Sequence, residues 1–300
     1  MQCTVCRREA IIFQPYSGKH LCPVHFIKDV EAKAKRTIRM HRWLHPKDHI
    51  AVALSGDSVS AALLFFLSKL TGNRRDIRLS AITIDPGIAG YKVKEHAGKT
   101  AAACDVAWFS GSFAERYGIT ADEIFRREGR ERACRTCEIL KKDLIGDLAQ
   151  EQGITSCAFA TTIDDIATSF FTDILFGTVE RTFFPSWVIG TNPIPVIRPF
   201  IEIPATEINQ YADLHASSFL QPCPYTGCNT GVPEIQKELD AYASRHPATK
   251  FALANMAGTL AGFAAVNKRF TLCPVCGGLM EDGTCEVCEI RCKMKQGTIS

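Results

Sequence analysis

The placement of its cysteines constrains this chain more than its size or its charge does. Fourteen cysteines stand among 300 residues, and all but Cys104 and Cys157 fall into groups. Cys3, Cys6 and Cys22 open the chain, Cys134 and Cys137 lie in the middle, and Cys223 and Cys228 follow. Cys273, Cys276, Cys285, Cys288 and Cys292 close it. The longest apolar stretch, Ala61 to Leu67, is far too short to cross a bilayer. The N-terminus carries Cys3 and Cys6 where an export signal needs an apolar core. A cytoplasmic location with no membrane partner is therefore expected. Thiols stay reduced there, so the groups read as metal, cluster or redox chemistry rather than as disulfides.

The two ends carry the metal signal. Cys3-Thr-Val-Cys6 and Cys22-Pro-Val-His25 are chelating pairs joined by a short loop with Pro15 and Gly18. Tetrahedral zinc takes four thiolate or imidazole ligands, and residues three apart in sequence reach one ion from a single backbone turn. Cys273-Pro-Val-Cys276 and Cys285-Glu-Val-Cys288 repeat the pattern, leaving Cys292 over. Two zinc sites are expected, in an N-terminal finger over residues 1–27 and a C-terminal ribbon over 269–300, around a central domain over 28–268.

That central part alternates strand and helix signals. Apolar runs at Ile50 to Leu54, Leu79 to Ile84, Val106 to Phe109 and Ser156 to Ala160 read as strands. Ser60 to Leu70, Val93 to Ala103, Ala121 to Arg127, Thr136 to Gln150 and Asp164 to Phe176 read as helices. Such alternation predicts an α/β domain with a parallel sheet covered on both faces. Ligands of these sheets bind at the carboxyl ends of the strands, which is where Ser55, Asp85 and Ala160 fall. Ser55-Gly56 between a strand and a helix fits either a phosphate cradle or an ordinary turn. Cys134-Arg-Thr-Cys137 fits either a redox dithiol or a cluster site, because both use that spacing.

Several further motifs occur in a fixed order. After the first finger come Thr37-Ile38-Arg39, Ile84-Asp85-Pro86-Gly87-Ile88-Ala89-Gly90-Tyr91 and the Cys134/Cys137 pair. Ile163-Asp164-Asp165-Ile166-Ala167, Arg198-Pro199-Phe200-Ile201-Glu202-Ile203-Pro204, Cys223-Pro224-Tyr225 and the terminal finger follow. Over nearly its full length the chain resembles the tRNA 2-thiouridine synthetase (TtuA-like) group of the PP-loop ATP pyrophosphatase superfamily. The resemblance implies a PP-loop domain between two zinc ribbons. It also implies an activity in which ATP with Mg adenylates a tRNA uridine and a sulfur nucleophile displaces AMP. By the same resemblance Cys134, Cys137 and Cys223 would hold a 4Fe-4S cluster with one iron left open to carry sulfide, and Cys228 stands near as an alternative fourth ligand. Lys141 and either Asp164 or Asp165 match the family's catalytic residues, and Ser55, Gly56, Ser60 and Asp85 its nucleotide-side positions. The implied partners are tRNA, a sulfur donor (sulfide or a sulfur-carrier protein) and a second copy of the chain.

The chain departs from the family on the nucleotide side. The family loop reads Ser-Gly-Gly-Lys-Asp-Ser, and this one reads Ser55-Gly56-Asp57-Ser58-Val59-Ser60. Aligned without gaps, the following helix buries Leu63, Leu64 and Leu67, whereas a two-residue deletion places Ala61, Ala62 and Phe65 there. The ungapped choice puts Asp57 where an amide should receive phosphate, so weakened ATP and Mg handling is expected. Ala160-Thr161-Thr162 likewise replaces the family's Gly-His-Asn. A redox or non-catalytic iron-sulfur paralogue is the competing reading.

A net charge of +3 is too mild to indicate nucleic acid by itself. Locally, Lys28 to Lys47 carries Lys33, Lys35, Arg36, Arg39, Arg42 and Lys47. Helical spacing places Lys35, Arg39 and Arg42 near one face, which fits either phosphate contacts with tRNA or a solvated basic face.

Overall fold

The computed structural model describes residues 1–178, 188–189, 194–215, 223–225, 232–266, 270–275, 279–281, 283 and 285–295. Cys228 and Cys276 lie outside them.

The chain opens with an antiparallel hairpin, β1 (Ile12–Gln14) and β2 (Lys19–Leu21), with Ile12 opposite Leu21. Pro23 then starts α1 (Pro23–His41), where its missing N–H costs nothing in the first helical turn. The helix runs straight through the boundary expected at residue 27, and Phe26, Val30, Ala34 and Ile38 bury one stripe of it in the main core.

The central domain then unfolds as β3 (His49–Ala53), α2 (Ser58–Thr71), β4 (Arg78–Asp85), α3 (Val93–Ala103) and β5 (Ala107–Ser112). Next come α4 (Phe113–Tyr117), α5 (Ala121–Glu151), β6 (Ser156–Ala158), α6 (Ile163–Leu175), β7 (Val188–Ile189) and β8 (Ile194–Ile197). Helices α7 (Ala205–Asp213), α8 (Val232–Arg245) and α9 (Thr249–Val266) complete it. The sheet order is β5-β4-β3-β6-β8-β7. The first five strands are parallel, and two-residue β7 pairs antiparallel at the edge. The expected α/β class therefore holds.

Strand β3 shows why both faces are covered. Ile50, Val52 and Leu54 enter one core with α1, α2, α3 and α7, while Ala51 enters the other with α5. From β3 the chain steps outward to β4 and β5, then returns across β3 to β6 and β8. The reversal opens a crevice beyond the carboxyl ends of β3 and β6, the usual ligand position in such sheets.

Several element boundaries differ from the sequence expectation. Helix α2 begins at Ser58 rather than Ser60, because the Asp57 carboxylate caps it by accepting from the Ser60 amide. Leu63, Leu64 and Leu67 are fully buried as the ungapped alignment requires. Ala61 and Ala62 are buried too, so burial alone separates the two alignments only at half-buried Phe65. The helices expected at Ala121 to Arg127 and Thr136 to Gln150 are the two arms of α5, separated by a kink at Gly129, whose backbone is not helical (φ 72°, ψ 173°). Glycine adopts that positive-φ backbone at little cost, so it ends the first arm and re-aims the second.

The C-terminal element consists of an antiparallel pair, β9 (Phe270–Leu272) and β10 (Leu279–Glu281), followed by α10 (Glu286–Lys295). It is tied to α5 through Arg291, which donates to Asp143 at 2.9 Å (Nε) and 2.5 Å (Nη2). Among the described residues no helix is long and apolar enough to cross a membrane.

Candidate functional site

A cleft of about 350 Å³ occupies the crevice at the reversal point. The turn after β3 contributes Ser55, Asp57 and Ser60, the loop after β4 contributes Tyr91, α5 contributes Lys141, and the start of α6 contributes Asp165. Its wall is apolar, formed by Leu54, Ile82, Val93 and Phe159.

The β3–α2 turn is closed on itself. Gly56 takes φ +86°, which a side chain would oppose. Asp57 Oδ1 accepts from the Ser60 amide at 2.7 Å, and its Oδ2 accepts from the Ser55 hydroxyl at 2.6 Å. Ser60 Oγ in turn accepts from the Ser55 amide at 3.3 Å. A carboxylate suits a helix N-terminus for the same reason that a phosphate does.

The two acids of the α6 motif separate. Asp165 lines the cleft and forms a capping box with Thr162, accepting from its amide at 2.7 Å and its hydroxyl at 2.8 Å. Burial raises its pKa against those bonds, and the charges of Asp164 and Asp57 raise it further. Asp164 points elsewhere, bonded to Lys250 of α9 and to the amide of Ala205 at 2.6 Å. Asp85 accepts from the Gly87 amide at 2.9 Å, holding the turn that carries Tyr91. Within the Ile84 to Tyr91 motif the sequence assigns Tyr91 no role of its own. The glycines at 87 and 90 are the signal in the sequence for a tight turn before Tyr91, and in the structure they take φ +73° and +76°.

Beside the cleft, Cys134 and Cys137 sit on α5 two turns and one turn before Lys141. Cys134 Sγ donates to the carbonyl of Tyr225 at 3.4 Å, and Tyr225 stacks on Phe125 with ring centroids 3.7 Å apart. Burial pushes the Cys137 thiol up to about 12. The Lys141 ammonium pulls it back, while the charges of Cys134 and Cys223 add to it. The fold thus brings the three thiols into one neighbourhood across 86 residues of sequence, from Cys137 to Cys223. Among the described residues they do not converge within 4.8 Å as the end groups do. Converging thiols suit a single ion, and diverging ones suit a cluster whose irons sit on separate corners.

The N-terminal donors do converge. Cys6 and Cys22 sulfurs are 3.7 Å apart, and the His25 Nδ1 lies 3.3 Å from Cys22 Sγ and 3.5 Å from Cys3 Sγ. A tetrahedron with metal–sulfur bonds of about 2.3 Å has edges of about 3.8 Å, so the four donors fit one ion. Burial opposes charge on Cys3, but backbone N–H groups of Cys22, Val5 and Cys6 with the His25 ring bring its pKa down to about 6. At the other end Cys273 and Cys288 sulfurs are 3.7 Å apart with Cys285 in the same group, and the expected fourth ligand, Cys276, lies outside the described residues.

The basic stretch is divided by its salt bridges. Lys33 is held by Asp29 at 2.5 Å and by buried Glu207 at 2.9 Å, in a network that also binds Gln14 and Tyr16 of the first hairpin. Arg36 pairs with Glu202 at 2.9 Å. Lys33 is therefore a structural cation and not part of an open face. Lys35, Arg39 and Arg42 do share a groove of about 430 Å³, joined by Arg74 from beyond α2, with Lys35 also paired to Glu31 at 3.4 Å and Arg74 to Asp76 at 2.6 Å.

Comparison with known proteins agrees with this layout. Residues 2–27 match the family described as 2-thiouridine synthetase TtuA, N-terminal LIM domain. The chain is 26% identical to the tRNA 2-thiolation protein NcsA of Haloferax volcanii, over 97% of this chain and 98% of that protein. It is 27% identical to the tRNA-5-methyluridine(54) 2-sulfurtransferase of Pyrococcus horikoshii, over 84% of this chain and 80% of that one. Its fold matches the U34-tRNA thiolase NcsA from Methanococcus maripaludis with its [4Fe-4S] cluster, at a TM-score of 0.84 and 23% identity, over 97% of this chain and 95% of that chain.

Proposed function

We propose that this chain, a member of the TtuA/NcsA-type tRNA 2-thiolation family, transfers sulfur to a tRNA uridine through an iron-sulfur centre. The observation that carries the reading is the placement of Cys134, Cys137 and Cys223 beside a cleft lined by Lys141 and Asp165. The three thiols fit a 4Fe-4S cluster, which when bound would offer one iron without a protein ligand as a seat for sulfide. Sulfide itself or a sulfur-carrier protein would be the donor.

The chain's own residues then divide the work. Lys141, one turn after Cys137, presents an ammonium between the thiols and the cleft, where it would stabilise negative charge developing on the uracil oxygen. Asp165, held by its capping box, is the cleft carboxylate of the acidic pair and would orient the reacting base. The groove of Lys35, Arg39, Arg42 and Arg74 would position tRNA through its phosphates. Zinc is the proposed ion at both ends: Cys3, Cys6, Cys22 and His25 form a closed tetrahedral set with no open position, and Cys276 would supply the fourth ligand beside Cys273, Cys285 and Cys288. The exchange balances only if the uracil oxygen is first adenylated by ATP with Mg, releasing pyrophosphate, and then leaves with AMP as sulfide adds; ATP would meet Asp57 in the loop, so adenylation is the step for which this chain is least equipped.

Mass spectrometry of tRNA nucleosides from cells lacking this chain tests the proposal. Loss of a 2-thiolated uridine, restored by the wild type and not by Cys223→Ala or Lys141→Ala, is the expected result. An unchanged nucleoside profile would favour the redox paralogue.

A further inference from the structure

Several of the groups a phosphate would seek at the β3–α2 turn are already engaged. The Ser60 amide and the Ser55 hydroxyl both donate to the Asp57 carboxylate, and the Ser58 hydroxyl donates to Asn209 at 2.6 Å. Asp57 thus holds, from within the chain, the place at the α2 N-terminus where a bound anion would lie. The charges around the cleft point the same way. Its lining carries the carboxylates Asp57, Asp165 and Glu138 against the ammonium groups Lys141 and Lys142, and Lys142 is spent on Glu138 at 2.5 Å. The remaining wall is apolar and bears two aromatic rings, Tyr91 and Phe159.

We propose that Asp57 is a built-in substitute for a ligand phosphate, and that the cleft accepts a nucleoside without a polyphosphate in preference to a nucleoside triphosphate. The proposal rests on reading this cleft as the nucleotide-type site of a tRNA-thiolation fold, and it names the ligand class of that site. A triphosphate would have to displace the carboxylate from two hydrogen bonds and then sit beside it, with desolvated like charges in close contact. A nucleoside keeps its ring on the apolar wall and leaves the Asp57 cap intact. About 350 Å³ is room enough for a base and its sugar.

Calorimetric titration of the full-length protein with adenosine, and separately with ATP and Mg, tests this. The wild type should bind adenosine at least as tightly as ATP. Asp57→Asn keeps a side-chain oxygen for the α2 cap and so preserves the fold, while removing the charge. It should raise ATP affinity by about ten-fold and leave adenosine within about two-fold. ATP binding ten-fold tighter than adenosine in the wild type, no adenosine binding, or unchanged ATP affinity in Asp57→Asn would each overturn the proposal. Neither tRNA nor a cluster enters the titration. Its failure leaves sulfur transfer standing, and failure of the nucleoside profile leaves this selectivity measurable.

Discussion

Replacing Gly87 by alanine should destabilise the protein by about 2 to 4 kcal/mol, from two separable causes. Gly87 has φ +73°, a conformation that costs an L residue on the order of 1 kcal/mol or more. A Cβ there would also lie 2.9 Å from Thr120 Cγ2 and 3.0 Å from Thr120 Cβ, an overlap of the kind that costs about 1 to 3 kcal/mol. Thr120 has little freedom to retreat. Its amide and hydroxyl donate to Glu123 at 2.7 and 2.9 Å, and the next amide, Ala121, donates to the Pro86 carbonyl at 2.7 Å. Thr120→Ser removes the offending methyl and keeps the capping hydroxyl, so the Gly87→Ala/Thr120→Ser double variant should recover about 1 kcal/mol of the loss. Urea unfolding at fixed metal content measures both, followed by the fluorescence of Trp108, whose indole bonds Thr83 at 3.0 Å across β4 and β5. A loss under about 1 kcal/mol, or no recovery in the double variant, would refute the assignment of strain to this turn.

Freshly prepared protein should contain about two zinc ions per chain, and elemental analysis of a Cys3→Ala/Cys273→Ala variant should show that content fall. Anaerobic reconstitution should load iron in the wild type and lose most of it in Cys223→Ala. Equal iron in the two would remove Cys223 from the ligand set, and iron loss in Cys228→Ala would add a fourth thiolate and close the open position. Arg39→Ala and Arg42→Ala should weaken tRNA binding and each lower the salt dependence by about one phosphate contact, read from binding isotherms at several ionic strengths. Lys33→Ala should instead lower stability by about 3 kcal/mol in denaturant, because it leaves Glu207 buried without its cation.

What the sequence determined by itself is local. Chelating pairs act over three or four residues, so Cys3, Cys6, Cys22 and His25 are legible as one ligand set, and they converge in the structure to tetrahedral spacings. Hydrophobic periodicity acts over one strand or helix, so the α/β alternation is legible, and with it the placement of Ser55 and Ala160 at strand ends facing the cleft. The tertiary structure decided what depends on distances between segments. It spent Asp164 on Lys250 and aimed Asp165 into the cleft, a choice two adjacent acids do not reveal. It buried Lys33 against Glu207, 174 residues away, and brought Arg74 to Arg39 and Arg42 in its place. It set how the two arms of α5 meet at the Gly129 kink, because Ala133, Cys137, Leu140 and Leu144 of the second arm are buried in the core. Charges and hydrogen bonds find partners by proximity in space, and proximity in space is set only once the sheet has assembled.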